Sequence, residues 1–216
     1  MNIARLTKDG LADFTVRQLE HLLPDGRPVD RQRVVAGMGS ALGRLEKCIE
    51  RIRAWEPGIF DHLQSSQYCT YLYFLANTIW RETGDTELPT RLFLLNKALN
   101  AIDLFYEIEM PEIFFIGHSI GIVLAKASYG EYLTLYQNTT VGKNHGVAPV
   151  IGEGVVLYPH ASIIGRCRIG NGTLISAGTT LLGHDTPGNC VVYIGAGGAP
   201  EFRPRGRNVF PDLFRV

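Results

Sequence analysis

Two histidines stand in settings suited to proton transfer. His118 lies in FFIGHSIGIVL, and His145 lies in the polar run Lys143-Asn144-His145-Gly146-Val147-Ala148. A histidine in a cleft serves as a general base near neutral pH because its ordinary pKa falls in that range. His21, His62, His160 and His184 sit in helical or repeat sequence and read as structural. There is no HxxxH pair and no CxxC pair, so no metal site is expected. Cys48, Cys69, Cys167 and Cys190 are widely spaced and read as reduced thiols of a cytoplasmic protein.

The elements that must position these groups follow two different periods. From Ile151 to Leu182 the sequence repeats every six residues, with Ile151, Leu157, Ile163, Ile169, Ile175 and Leu181 opening successive hexads. The fifth position of the first five is slim: Val155, Ala161, Cys167, Thr173 and Thr179. A fixed period of six is that of a parallel β-helix. Each hexad makes one flat strand and one corner, and three close a triangular coil. The opening residue points inward and the slim fifth residue fits the crowded turn. The same spacing reaches back through Val141, Leu135, Tyr129 and Val123. Between Val141 and Ile151 four residues are inserted, so the stretch holding His145 is expected to leave the coil as a loop.

Before Pro111 the pattern is helical. Asp30 can cap a helix carrying Val34, Met38, Leu42, Leu45, Ile49 and Ile52, with Pro57-Gly58 as its stop. A shorter helix carries Val16, Leu19 and Leu23, ending at Pro24-Asp25-Gly26. A third runs through Tyr68, Leu72, Leu75 and Ile79 to Gly84. A fourth has Pro89 in its first turn and Leu92, Leu95, Leu99 and Ile102 on one face. The expected class is α+β: a helical domain over 1–110, a β-helix over 111–200, and a C-terminal tail over 201–216.

Composition narrows the functions. The 216 residues are 45% hydrophobic, and 21 basic residues balance 21 acidic ones. Nucleic-acid binding, which needs a basic surface stripe, is not indicated. No apolar run approaches the ~18 residues of a membrane span, and the first residues lack the apolar core of a signal peptide. A regular prism has little concavity of its own. A cleft must come from a loop, the helical domain or a second subunit, so an oligomer is expected.

The run GHSIGIVLAKASYGEYLTLYQNTTVGKN, with the hexads and ISAGTTLL behind it, resembles the serine acetyltransferases. More broadly it is similar to hexapeptide-repeat acyltransferases, whose fold is a left-handed parallel β-helix. The likeness covers about 107 to 200, and a helical domain in front is typical of the serine enzymes. The resemblance implies direct acetyl transfer from acetyl-CoA to a hydroxyl, with His118 as the base and an upstream carboxylate orienting it. Glu107, in Tyr106-Glu107-Ile108-Glu109-Met110-Pro111, is the best match for that carboxylate, with Glu109 and Asp103 as competitors. His145 corresponds to a histidine that contacts the acceptor. Ala177 and Gly178, with Pro159 one coil earlier, correspond to the CoA groove between subunits of a homotrimer; pairing of trimers through the helical domain is left open.

Three departures stand out. Gly117 replaces an Asp that commonly precedes the histidine. Gly197-Gly198-Ala199-Pro200-Glu201 replaces a closing G-x-P-A-R. The tail PDLFRV lacks the terminal isoleucine that docks relatives into a partner synthase, so that complex is not expected. L-serine is the favoured acceptor. The alternatives are a sugar or nucleotide-sugar acetyltransferase of surface-polysaccharide synthesis and a non-catalytic trimeric scaffold.

Overall fold

The computed structural model describes residues 1–215. Four helices form the N-terminal part: α1 (Lys8–Leu22), α2 (Arg31–Arg51), α3 (Ser65–Thr83) and α4 (Glu87–Asn100). Thr7 accepts from the Gly10 amide at the start of α1, and Asp30 accepts from the Gln32 amide at the start of α2. These bonds satisfy backbone donors that a first helical turn leaves unpaired. Gly84 closes α3 at φ 70°, a left-handed conformation that suits glycine. Residues 66 to 79 of α3 are buried on every side, so α3 is the centre of this part. Leu92 and Leu95 of α4 are buried as expected, whereas Leu99 is 48% exposed.

The remaining chain winds into a prism of three parallel faces. The first face holds Phe114–Ile116, Leu133–Leu135, Val156–Leu157, Leu174–Ile175 and Cys190–Ile194. The second holds Asp103–Leu104, Val123–Leu124, Thr140–Gly142, Ser162–Ile164 and Thr180–Leu182. The third holds Ser128–Tyr129, Val150–Ile151 and Arg168–Ile169. All six hexad-opening residues are at most 3% exposed, and the slim fifth residues at most 2%. The hexad reading of side-chain direction therefore holds over this run. Further back it slips by one: Val123 is 45% exposed, and Leu124, paired with Val141, points inward instead.

The inserted residues are visible in the register. Val156 pairs with Leu174, eighteen residues on, but Thr134 pairs with Val156, twenty-two on. The excess is a tight turn rather than an extended loop. Asn144 and Val147 exchange both backbone hydrogen bonds at 3.0 Å, with His145 and Gly146 at positive φ between them. This is the geometry of a two-residue hairpin turn.

Both expected boundaries fall inside folded structure. The first prism strand is Asp103–Leu104, ahead of residue 111. Residues 201–216 begin within Pro200–Pro204, which pairs antiparallel with Cys190–Ile194. A short helix, α5 (Phe210–Leu213), follows, and Phe214 is 1% exposed. Arg215 then reaches the end of α2, where its guanidinium donates to the carbonyls of Ile52 at 2.6 Å and Trp55 at 2.5 Å. A cation there complements the negative end of the helix dipole. Together with the Ile52–Phe214 bridge, it holds the end of α2 at Arg51, six residues before Pro57.

Packing distinguishes the faces. Phe115, Thr134, Val156 and Leu174 form the outward column of the first face, yet none exceeds 7% exposure. Trp55 stands edge-on over Phe115, and Phe210 and Phe214 pack against Tyr132 beside this face. By contrast, Ile120, Val123, Val150 and Leu182 lie exposed on or beside the other two faces.

Candidate active site

His118 sits on the edge between the first and second faces. Its position follows from the register Ile116–Leu135–Leu157–Ile175: two residues further along, each coil contributes His118, Gln137, Pro159 and Ala177 to one edge. Gly178 follows Ala177 there, its amide bonded to the Pro159 carbonyl at 3.0 Å. The His118 and Ala177 side chains are exposed. The expected base and the expected CoA residues thus share one edge of one chain.

This edge turns through a stack of left-handed residues: Gly121, Asn138, His160 and Gly178, all at φ between 57° and 74°. Glycine suits position 121, where a β-carbon would stand 2.1 Å from Asn138 Oδ1 and 3.3 Å from its Cα. Asn138 in turn lies 3.4 Å from the His160 ring nitrogen, so His160 has the structural corner role expected of it.

Glu107 and His145 lie elsewhere. Both follow strands of the second face and occupy the edge between the second and third faces. Glu107 is bound there to Lys126 at 3.0 Å. The assignment of Glu107 as the carboxylate beside His118 is therefore corrected: the strand Asp103–Leu104 carries the chain across the face before residue 107 is reached. Asp103 begins that strand on the His118 side, its amide bonded to the Ile122 carbonyl at 2.8 Å. Its side chain belongs to the outward column with Val123, and Lys97 of α4 holds the carboxylate at 2.6 Å. Glu109 is instead paired with Arg81 at 3.5 Å. Among the described residues none of the three carboxylates hydrogen-bonds to His118, and no three of His, Cys, Asp and Glu converge as a metal site would require.

Two tyrosines on this edge escaped the sequence reading. Tyr136 and Tyr158 stack with ring centroids 5.7 Å apart and planes inclined by 10°. The Tyr136 ring lies over Gly117, where a β-carbon would stand 2.8 Å from it. Burial and the neighbouring Tyr158 hold the Tyr136 hydroxyl above its ordinary pKa. The signal was present in LYQN and LYPH, where a tyrosine follows the inward leucine in each of two stacked hexads.

Residues 148–183 match the family described as bacterial transferase hexapeptide (six repeats). The serine acetyltransferase of Synechococcus elongatus is 29% identical over 113 residues, covering 49% of this chain and 45% of the relative. The chain carries a hexapeptide-repeat segment and is similar to serine acetyltransferases over about half of its length. The Bacillus licheniformis serine acetyltransferase is 31% identical over 108 residues, 46% of this chain and 47% of the relative. The chain spans about half the length of the curated relatives it matches. The fold likeness is broader. The crystal structure of serine acetyltransferase from Vibrio cholerae gives a TM-score of 0.71 at 20% identity, covering 93% of this chain and 81% of that one. A serine acetyltransferase in complex with CoA gives 0.69 at 16% identity, covering 92% and 86%. The chain therefore shares its fold, helical part and solenoid together, with those structures.

Proposed function

We propose that this protein is an acetyl-CoA-dependent O-acetyltransferase with a small hydroxyl acceptor, L-serine being favoured by the relatives. The observation that carries the reading is the shared edge: an exposed His118 in line with Pro159, Ala177 and Gly178. His118 takes the acceptor's proton as the hydroxyl oxygen attacks the thioester carbonyl. The tetrahedral intermediate expels the CoA thiolate, which regains that proton from the imidazolium. Asp103, anchored by Lys97, takes the orienting role in place of Glu107.

His145 lies on a different edge of the chain, so it serves the acceptor only from a neighbouring subunit. A homotrimer supplies that neighbour, and the exposed Val123, Val150 and Leu182 support association through the second and third faces. Four buried, unpaired cysteines support a reducing, cytoplasmic setting.

One observation favours a second reading. The tyrosine pair beside Gly117 offers a ring face where relatives carry a carboxylate, which suits a sugar or nucleotide-sugar acceptor. A thiol-release assay with acetyl-CoA across L-serine and a nucleotide-sugar panel separates the two. Turnover with L-serine supports the first and turnover with a sugar alone the second. Failure to bind acetyl-CoA by calorimetry leaves the trimeric scaffold.

A further inference from the structure

The C-terminal segment does more than close the fold. Between it and the prism lies a cleft of about 300 Å³, on the edge joining the third and first faces, away from His118. Tyr132, Val156, Phe210, Leu213 and Phe214 give it an apolar wall. Two opposite charges also line it, Glu153 and Arg205.

These charges are placed but not paired. Arg205 lies against Gly172, donating from Nη1 to the Gly172 carbonyl at 3.3 Å. A β-carbon at 172 would stand 3.2 Å from that nitrogen, so the glycine lets the guanidinium settle on the backbone. Its remaining donors meet no acceptor among the described residues. The Glu153 carboxylate likewise has no ion pair or hydrogen bond among the described residues. Glu153 and Gly172 are neighbours on adjacent coils, joined by the Gly172 amide to the Glu153 carbonyl at 2.7 Å. The anchoring points of the two charges are therefore about one strand spacing apart, roughly 4.8 Å.

A fixed guanidinium and a free carboxylate that do not neutralise each other, beside an apolar wall, match a small zwitterion with an apolar tail. We infer that this cleft binds a free α-amino acid with an aliphatic or aromatic side chain. Arg205 takes the α-carboxylate, for which its planar fork is suited. Glu153 takes the α-ammonium, and the side chain lies against Phe210 and Leu213. The wall belongs to the segment whose last residues hold the end of α2, so an occupant also braces the junction between the helical part and the prism.

The test uses the full-length protein, calorimetry and thermal unfolding. L-leucine and L-phenylalanine are the probes; N-acetyl-L-leucine lacks the ammonium and L-leucinamide lacks the carboxylate. At least one free amino acid should bind and raise Tm, and each blocked analogue should bind at least tenfold more weakly. Arg205→Gln and Glu153→Gln, with circular dichroism confirming their fold, should each weaken binding at least tenfold. His118→Ala should bind like the wild type, which separates this cleft from the proposed acetyl-transfer site. The inference falls if neither amino acid binds, or if binding survives both cleft substitutions. It also falls if N-acetyl-L-leucine binds as well as L-leucine and Glu153→Gln has no effect, since the cleft is then an anion site alone.

Discussion

Gly117 and Tyr136 are complementary: the Tyr136 ring lies 2.8 Å from where a β-carbon at 117 would be. A side chain at 117 would press on the Tyr136 ring. Gly117→Ala should destabilise the fold by about 1–3 kcal/mol through overpacking. Gly117→Ala combined with Tyr136→Leu should recover most of that loss, because residues in contact are energetically coupled. Thermal denaturation of the two single variants and the double variant measures the coupling. Additive losses would contradict the contact.

His118→Ala should reduce acetyl transfer by about 100-fold or more, the usual contribution of a general base. Acetyl-CoA affinity measured by calorimetry should stay within a factor of three. Near-normal turnover in a folded variant removes His118 from the mechanism.

The two edges of the second face make opposite demands on the carboxylates. Asp103→Asn should lower kcat at least tenfold, whereas Glu107→Gln should change it by less than threefold. Steady-state kinetics of the pair decides between them. A sensitive Glu107 would mean that residue acts on a neighbouring subunit's histidine.

Burial pushes the thiols of Cys48 and Cys69 up to about 12. At pH 8 a disulfide reagent should therefore leave both unreacted in the folded protein and modify all four cysteines after denaturation. The linkage has a definite sign. A folded-state pKa above the unfolded value favours folding fully below the ordinary thiol value of about 8.5. That contribution declines as pH rises towards about 12. Denaturant midpoints measured from pH 8 to 11 should fall accordingly, and a Cys48→Ala variant should fall less.

Phe214 is 1% exposed and packs against Tyr132 and Phe210. Phe214→Ala should cost about 3–5 kcal/mol. If the segment closes the fold as its contacts indicate, limited proteolysis of this variant should cut near residues 205–213 first. An unchanged digestion pattern would show that the segment holds without this anchor.

Much of this molecule was readable from residue order alone. Ile151, Leu157 and Ile163 recur at a six-residue period because every coil buries the same position, so local spacing determined the direction of those side chains. Asp30 and Gly84 marked helix ends for reasons confined to one turn of backbone. His118 was singled out by its own setting, and the four-residue slip was countable.

What the spacing did not contain was which edge each residue occupies. Glu107 is eleven positions from His118 and Asp103 fifteen, yet the nearer one in sequence is carried off across a face by the strand Asp103–Leu104. The same winding puts His145 with Glu107 and aligns His118 with Ala177, fifty-nine residues on. Likewise Phe214 and Arg215 read only as part of a C-terminal tail, and their burial and hydrogen bonds place them against the end of α2. Period and capping are set by neighbours along the chain. The membership of an edge, the space over Gly117 and the docking of the C-terminal segment depend on contacts between residues far apart in sequence, which only the wound and packed chain defines.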